Sequence, residues 1–257
     1  MTIKENALYQ PQIGLLVKVV ATPALNLIAK QSGLDFIFYD CEHGILSYKE
    51  LHDLMVMGNT IDLPSIVRVP QLTRRDISQV LDLGATGIMV PMVETKQQAL
   101  QLVEWALYPP LGKRSYSGGA NTMYAPGGNH RENMDRLNKN TLILVQIETL
   151  DGVNNIDDIL FVDEVDGVIV GPCDLGISMG IPDNVMDPLE LETIQRVIES
   201  CRKHHKSFGI IGSLNLLEKF KDDMTWFISA IDTNILRDGL NKVMNDTKKL
   251  MGETNEK

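Results

Sequence analysis

The sequence predicts a (β/α)8 TIM barrel, a closed ring of parallel strands with helices outside it, folded as a single domain. Three observations predict it. Short runs rich in Ile and Val recur along the chain, each followed by a stretch of helical period. Those runs lack the polar alternation of a half-exposed strand, which suits parallel strands buried on both faces. The chain has 257 residues, 44% of them hydrophobic and 23% charged, which is apolar material enough for one barrel of ordinary size. An open doubly wound sheet would use the same units, but the first strand-to-helix turn carries no glycine-rich dinucleotide fingerprint and no crossover point divides the chain.

In chain order, the strands are read at Ile13–Val20, Asp35–Tyr39, Ser65–Val69, Gly87–Val90, Thr141–Ile147, Gly167–Val170, Ser207–Ile211 and Trp226–Ile231. Helix starts lie between them. Ser47 with Glu50, Thr73 with Asp76 and Thr95 with Gln98 have the spacing of a capping box or a near variant, which satisfies the first free N–H groups of a helix. Two further helices place proline at their first position, after Thr22 and after Asp187, where the missing N–H is not needed. Ile77, Val80 and Leu81, and later Leu191, Ile194, Ile198 and Cys201, recur at the period of a helix with one buried face, and Gly84 supplies a stop. The barrel domain is expected over 1–252, followed by a polar tail from Glu253 to Lys257.

A formal charge of −10 argues against nucleic acid and membrane as partners, since the mean surface potential repels polyanions and anionic lipid alike. Cys41, Cys173 and Cys201 are an odd set without metal-ligand spacing, and the opening MTIKENALYQ has no apolar run to serve as leader or span. A reduced, cytoplasmic protein acting on a small molecule is the expectation.

Barrel chemistry sits where strands end and their loops begin. There the second strand runs into Asp40-Cys41-Glu42-His43-Gly44, giving a histidine able to act as a base near neutral pH. The third strand ends in Val67-Arg68-Val69-Pro70, where Arg68 offers a forked cation suited to a carboxylate. Gln146 and Glu148, two apart on the fifth strand, share a face. Asp174 follows the sixth strand, and with Glu148 it forms a pair of hard oxygen donors for a divalent ion such as Mg2+ or Mn2+.

Each residue also has a structural reading. His43 could cap a helix or sit in the core, Arg68 could belong to a buried ion pair, and Glu148 and Asp174 could cap the helices that follow them. His52 and the pair His204-His205 read as helix-borne, solvated groups, and Cys41 and Cys173 as small buried hydrophobes. What favours chemistry is that a base, a cation, an amide and a pair of carboxylates converge on one rim.

With those residues in place, the chain resembles the HpcH/HpaI-type class II pyruvate aldolase family along nearly its whole length. The matching segments are DCEHG (Asp40–Gly44), VRVP (Val67–Pro70), QVLDLGATGIMVPMVET (Gln79–Thr95), YPPLGKR (Tyr108–Arg114), LVQIET (Leu144–Thr149) and DGVIVGPCDLGISMG (Asp166–Gly180). The resemblance implies a TIM barrel in which Glu148 and Asp174 ligate the metal, Arg68 and Gln146 contact the 2-oxo acid, and His43 is the acid/base. It further implies that Asp82 orients that histidine, a contact made across a subunit boundary, and that the chain forms a homohexamer, a trimer of dimers, whose last helix is exchanged between neighbours. By the same resemblance, Cys173 and Asp174 border the substrate.

Departures from the family pattern fall on the acceptor side of the pocket: Cys173 stands where a small residue is usual, Ser115-Tyr116-Ser117-Gly118-Gly119 follows the PPLGKR segment, and Ser229-Ala230-Ile231-Asp232 lacks a glycine before its aspartate. Three functions remain open at this point. The first is a metal-dependent aldolase acting on pyruvate or oxaloacetate. The second is a siderophore-pathway citrate synthase on the same scaffold, condensing oxaloacetate with a coenzyme A thioester and able to dispense with metal. The third is a non-catalytic barrel that binds a dicarboxylate.

Overall fold

Eight parallel strands close on themselves in chain order, so that the first pairs with the last. The computed structural model describes residues 2–182 and 184–252, and the expected polar tail at 253–257 lies outside the described residues. The strands are β1 (Gln12–Val17), β2 (Phe36–Asp40), β3 (Ser65–Arg68), β4 (Gly87–Val90), β5 (Leu142–Ile147), β6 (Gly167–Val170), β7 (Ser207–Ile211) and β8 (Trp226–Ile231). The helices are α1 (Ile3–Asn6), α2 (Ala24–Gln31), α3 (Tyr48–Thr60), α4 (Arg74–Asp82), α5 (Lys96–Ala106) and α6 (His130–Asn140). They continue as α7 (Leu150–Asn154), α8 (Ile156–Leu160), α9 (Pro172–Ser178), α10 (Pro188–His204), α11 (Leu214–Phe220) and α12 (Asp232–Leu250).

Alternation along each strand builds two apolar layers. Phe36, Phe38, Ile66, Met89, Leu142, Leu144, Ile169, Trp226 and Ile228 point inward and fill the barrel. Their neighbours Ile37, Tyr39, Val67, Ile88, Ile143, Val145 and Val168 point outward and pack beneath the helices. At the end where strands begin, α1 closes the barrel: Ile3 and Ala7 join the inner layer, and Lys4 Nζ sits 2.9 Å from Asp166, just ahead of β6.

The helix starts follow the sequence chemistry. Ser47–Glu50 and Thr95–Gln98 form complete capping boxes, and Thr73 caps α4 by accepting the Asp76 N–H. Past the end of α4, Gly84 takes φ +102°, a backbone conformation that a side chain disfavours. Pro188 stands at the first position of α10 behind its cap Asp187, whereas Pro23 is itself the cap residue of α2, one place earlier than expected.

Two further differences from expectation have physical causes. β1 stops at Val17 rather than Val20, because the N–H groups of Lys18, Val19 and Val20 all donate to one oxygen of the buried Asp232 carboxylate, at 3.1, 2.9 and 2.9 Å. A strand cannot continue when its donors are taken by a side chain. The last helix also departs from the barrel plan. Along α12, Ile235, Leu236, Leu240, Val243 and Met244 form a stripe of helical spacing that is half or more exposed. The wall that a helix in this position would cover shows instead an apolar groove of about 450 Å3 that includes Ile13, Leu214, Leu217 and Phe227. No helix among the described residues is long and apolar enough to cross a membrane.

Candidate active site

On three strands the inward-facing series ends in a polar residue at the C-terminal rim: Phe36, Phe38, Asp40 on β2; Ile66, Arg68 on β3; Leu142, Leu144, Gln146, then Glu148, on and beyond β5. Strand register sets Asp40 opposite Arg68. The guanidinium, 5% exposed, grips the fully buried Asp40 through Nε at 2.9 Å and Nη2 at 2.7 Å. Its remaining nitrogen, Nη1, donates to Gln146 Oε1 at 3.2 Å and lies 3.1 Å from Glu42 Oε2. The Gln146 amide donates in turn to Glu148 Oε2, while Glu148 Oε1 accepts the Met92 N–H at 2.8 Å. Met92 adopts φ +54° just past β4, which turns that N–H into the barrel mouth.

Arg68 matches the structural reading of its sequence, that of a buried ion pair. Its fork belongs to the buried ion pair with Asp40, and its Nη1 lies against Gln146 and Glu42.

The charge balance is uneven. Burial raises the Glu148 carboxyl, and the charges of Glu42 and Asp174 add to this against the Met92 and Gln146 hydrogen bonds, so that it stands at about 7. Burial likewise raises Glu42, against the pull of Arg68 and His43. At Asp40 burial also pushes upward, yet the Arg68 hydrogen bonds and charge, with the N–H groups of His43 and Glu42, bring the carboxyl below its ordinary value. A rim where Glu42, Glu148 and Asp174 repel one another is one where a dication would lower the energy.

The donor set fits a hard ion. Glu148 and Asp174 bring carboxylate oxygens, and neither is used as a helix cap: Thr149 caps α7, and α9 begins at Gly171 without a side-chain cap. Among the described residues no three His, Cys, Asp or Glu side chains gather into a metal cage. A pair of protein carboxylates, with the rest of the shell left to water and substrate oxygen, is the usual manner of Mg2+ binding.

Other candidates fall as follows. His43 stands at the rim with its side chain 57% exposed and Nε2 3.8 Å from Glu42. Asp82 does not meet His43 within the chain and is paired with Arg114 Nη2 at 2.6 Å. Cys173, expected as a small buried group, is exposed on the first turn of α9, while Cys41 is half-buried and Cys201 buried. His52 bonds Asp53 and Tyr124, and His204 bonds Asp157; both are partly buried on their helices rather than fully solvated.

Sequence reasoning missed several contributors. Lys18 follows Leu16 on the inward series of β1 and brings Nζ to 3.6 Å from Asp40, although it reads in sequence as an interruption in an apolar run. Asp232 pins the loop that carries Lys18, a contact 214 residues apart. At Gly171, just past β6, a Cβ would lie 2.6 Å from both Gln146 Nε2 and Glu148 Oε2, so a side chain there would displace that pair.

A family profile described as HpcH/HpaI aldolase/citrate lyase matches residues 12–230. The chain belongs to this family. Among its HpcH/HpaI relatives, the 2-keto-3-deoxy-L-rhamnonate aldolase of Salmonella gallinarum is 38% identical over 191 residues, covering 74% of this chain and 69% of that one. The crystal structure of an HpcH/HpaI aldolase from Desulfitobacterium hafniense DCB-2 superposes with TM-score 0.91 at 28% identity, covering 96% of this chain and 97% of the other. The citrate synthase SbnG superposes with TM-score 0.87 at 26% identity, covering 98% and 99%.

Proposed function

We propose that this protein is a class II aldolase that cleaves a 4-hydroxy-2-oxo acid to pyruvate and an aldehyde and runs the same step in reverse. The observation that carries the proposal is the hydrogen-bonded line Asp40–Arg68–Gln146–Glu148 across the barrel mouth, with Asp174 and His43 beside it. The family relationship to named aldolases supports it.

In the cleavage direction, His43 takes the proton of the 4-hydroxyl, directly or through a water. The C4–O bond becomes a carbonyl, the C3–C4 bond breaks, and its electron pair passes to C3 and the 2-oxo group as the pyruvate enolate. Protonation at C3 then releases pyruvate. Arg68, locked by Asp40, presents its Nη edge to the 2-oxo acid, and Gln146 is held between Arg68 and Glu148, so neither group reorganises as charge develops. Glu148 and Asp174 would hold Mg2+ or Mn2+, which supplies charge stabilisation to the enolate oxygen. Cys173 borders the acceptor side beside Asp174.

Among the described residues of one chain, Glu42 is the carboxylate within 4 Å of the His43 ring, and Asp82 would serve across a subunit boundary. The unpaired stripe on α12 and the open groove at Ile13 and Phe227 fit the exchange of α12 between subunits, and a homohexamer is the assembly we assign. The barrel domain spans 1–252.

The likeness to a citrate synthase favours a second reading, in which oxaloacetate occupies the Arg68 side and a coenzyme A thioester is the co-substrate, in siderophore biosynthesis. One assay separates the two: purified protein is given pyruvate with a panel of aldehydes, or oxaloacetate with acetyl-CoA, each with and without EDTA. Aldol product that EDTA abolishes is the expected result. Citrate formed in the presence of EDTA would replace the aldolase reading with the synthase.

A further inference from the structure

Among the described residues, Lys18 is the least committed cation at the barrel mouth. It follows Gly14 and Leu16 on the inward series of β1, both buried, where a further apolar side chain would continue the barrel filling. Its side chain is 28% exposed, and its one charged neighbour among the described residues is Asp40 Oδ2 at 3.6 Å, beyond hydrogen-bond reach. Asp40 is already satisfied without it. One oxygen of that carboxylate accepts Arg68 Nε at 2.9 Å and the N–H groups of Glu42 and His43 at 3.1 and 3.3 Å, and the other accepts Arg68 Nη2 at 2.7 Å. Arg68 in turn is held by Asp40, with Nη1 against Gln146 and Glu42. The three N–H donors of the Lys18 ammonium are left for a group that enters the mouth.

The backbone fixes where that ammonium stands. The Lys18 N–H donates to Asp232 Oδ2 at 3.1 Å, and the Lys18 carbonyl accepts the Ile45 N–H at 3.0 Å. The second bond folds the segment that carries His43 back onto Lys18. Gly44 permits the fold, since a Cβ there would come 2.0 Å from the Asp40 carbonyl oxygen and 3.0 Å from that of Lys18. Lys18 and His43 thus sit on two loops clamped to each other. In the closed ring of eight strands, β1 and β2 stand across the mouth from β5 and β6, beyond which Glu148 and Asp174 lie.

Aldol cleavage develops negative charge at two oxygens. One is the enolate oxygen, on the side of Glu148 and Asp174. The other is the 4-oxygen, where charge gathers as His43 draws off the hydroxyl proton and before the carbonyl has formed. Glu42 Oε2, 3.8 Å from His43 Nε2, opposes that charge. A cation aimed at the 4-oxygen would offset it, and it would act most strongly as the charge peaks.

We propose that Lys18 is a catalytic residue of the carbon–carbon step, its ammonium donating a hydrogen bond to the 4-oxygen. In cleavage His43 takes the hydroxyl proton, the electron pair left on the 4-oxygen closes the C4 carbonyl, and the C3–C4 pair passes to C3 and the 2-oxo group. Lys18 keeps its proton throughout. In the reverse direction the same contact polarises the aldehyde carbonyl, and the alkoxide that forms takes its proton from His43. This role rests on the aldolase reading. It does not extend to enolate formation from pyruvate, which has no 4-oxygen.

The test compares wild type, Lys18→Met and Lys18→Arg in two reactions. One is cleavage of 4-hydroxy-2-oxo acids whose aldehyde halves have two to four carbons; the other is deuterium exchange at C3 of pyruvate. In Lys18→Met, which keeps the length of the stem without its charge, cleavage kcat should fall about a hundredfold, whereas exchange should fall by less than about fivefold. KM for the 4-hydroxy-2-oxo acid should move far less than kcat, because the charge on the 4-oxygen grows only toward the transition state. Lys18→Arg keeps a charged donor and should recover part of the loss. A lysine that merely neutralised Asp40 would act through Arg68 on both reactions alike. Equal losses in cleavage and exchange would therefore overturn the role, as would wild-type cleavage by Lys18→Met. A wild type without exchange, or without cleavage of any of these acids, would overturn the aldolase reading and the role of Lys18 with it.

Discussion

Arg68 and Glu190 are both buried charged residues, yet their burial has opposite consequences. Arg68 and Asp40 satisfy each other with a two-point hydrogen bond. Arg68→Ala leaves the buried Asp40 carboxylate with Lys18 at 3.6 Å and the Glu42 and His43 N–H groups alone, and breaking such a pair costs about 3–5 kcal/mol. The same change should reduce kcat/KM for the 2-oxo acid by at least about a hundredfold. Steady-state kinetics together with urea unfolding check both effects, and unchanged affinity for the 2-oxo acid would remove Arg68 from the site. Among the described residues Glu190, in the first turn of α10, has no such partner. Its carboxyl is raised by burial first, and by Asp187, from 4.5 to about 7. Between these values the folded chain binds more protons than the unfolded one, so Glu190 makes stability fall as pH rises from about 4.5 to 7, with the full penalty present above 7. Glu190→Leu should therefore stabilise the protein by about 1–3 kcal/mol at alkaline pH and by much less near pH 5. Urea midpoints at the two pH values read this out, and an equal shift at both would contradict it.

Among the elements, β6 is tested most sharply at its end. Gly171→Ala puts a methyl group 2.6 Å from Gln146 Nε2 and Glu148 Oε2, so the pair must move by a few tenths of an ångström or more. Because misplacing catalytic groups by about 1 Å costs on the order of a hundredfold, kcat should fall at least about tenfold. Metal affinity, measured by titration, should weaken in parallel, and a variant with wild-type kcat and metal binding would show that the close approach has no functional weight. This scale is also where the sequence was most legible. Strands β4, β6, β7 and β8 begin and end where their apolar runs do, and three of the expected caps hold, because local chemistry decides those features. β1 ran three residues too long in the sequence reading, since its true end is set by Asp232, far away in the chain. The rim residues His43, Arg68, Gln146, Glu148 and Asp174 were legible as strand-end polar groups. The engagement of the Arg68 fork by Asp40, the Met92 N–H on Glu148 and the inward turn of Glu190 were not, because each depends on which strands are neighbours or which way a side chain points.

At the scale of the whole molecule, the barrel supplies a rigid frame whose inward side chains pass from apolar layers to a polar rim, and it leaves one helix without a berth. A stripe of Leu240, Val243 and their neighbours on α12 facing water would be a liability in a monomer. Replacing Leu240 and Val243 by Glu should therefore break the assembly, read as a fall in mass by sedimentation, with loss of turnover if Asp82 acts across the boundary. Retention of both mass and activity would contradict the exchange of α12. The central claim is that the rim formed by Arg68, Gln146, Glu148 and Asp174 generates the enolate of a 2-oxo acid. It is tested most directly by deuterium incorporation at C3 of pyruvate in heavy water, with added Mg2+ or Mn2+, for wild type and Glu148→Gln. The account predicts exchange well above the solvent background in wild type, dependent on the added ion and lost in the variant; background exchange in wild type, or equal exchange in both proteins, would contradict it.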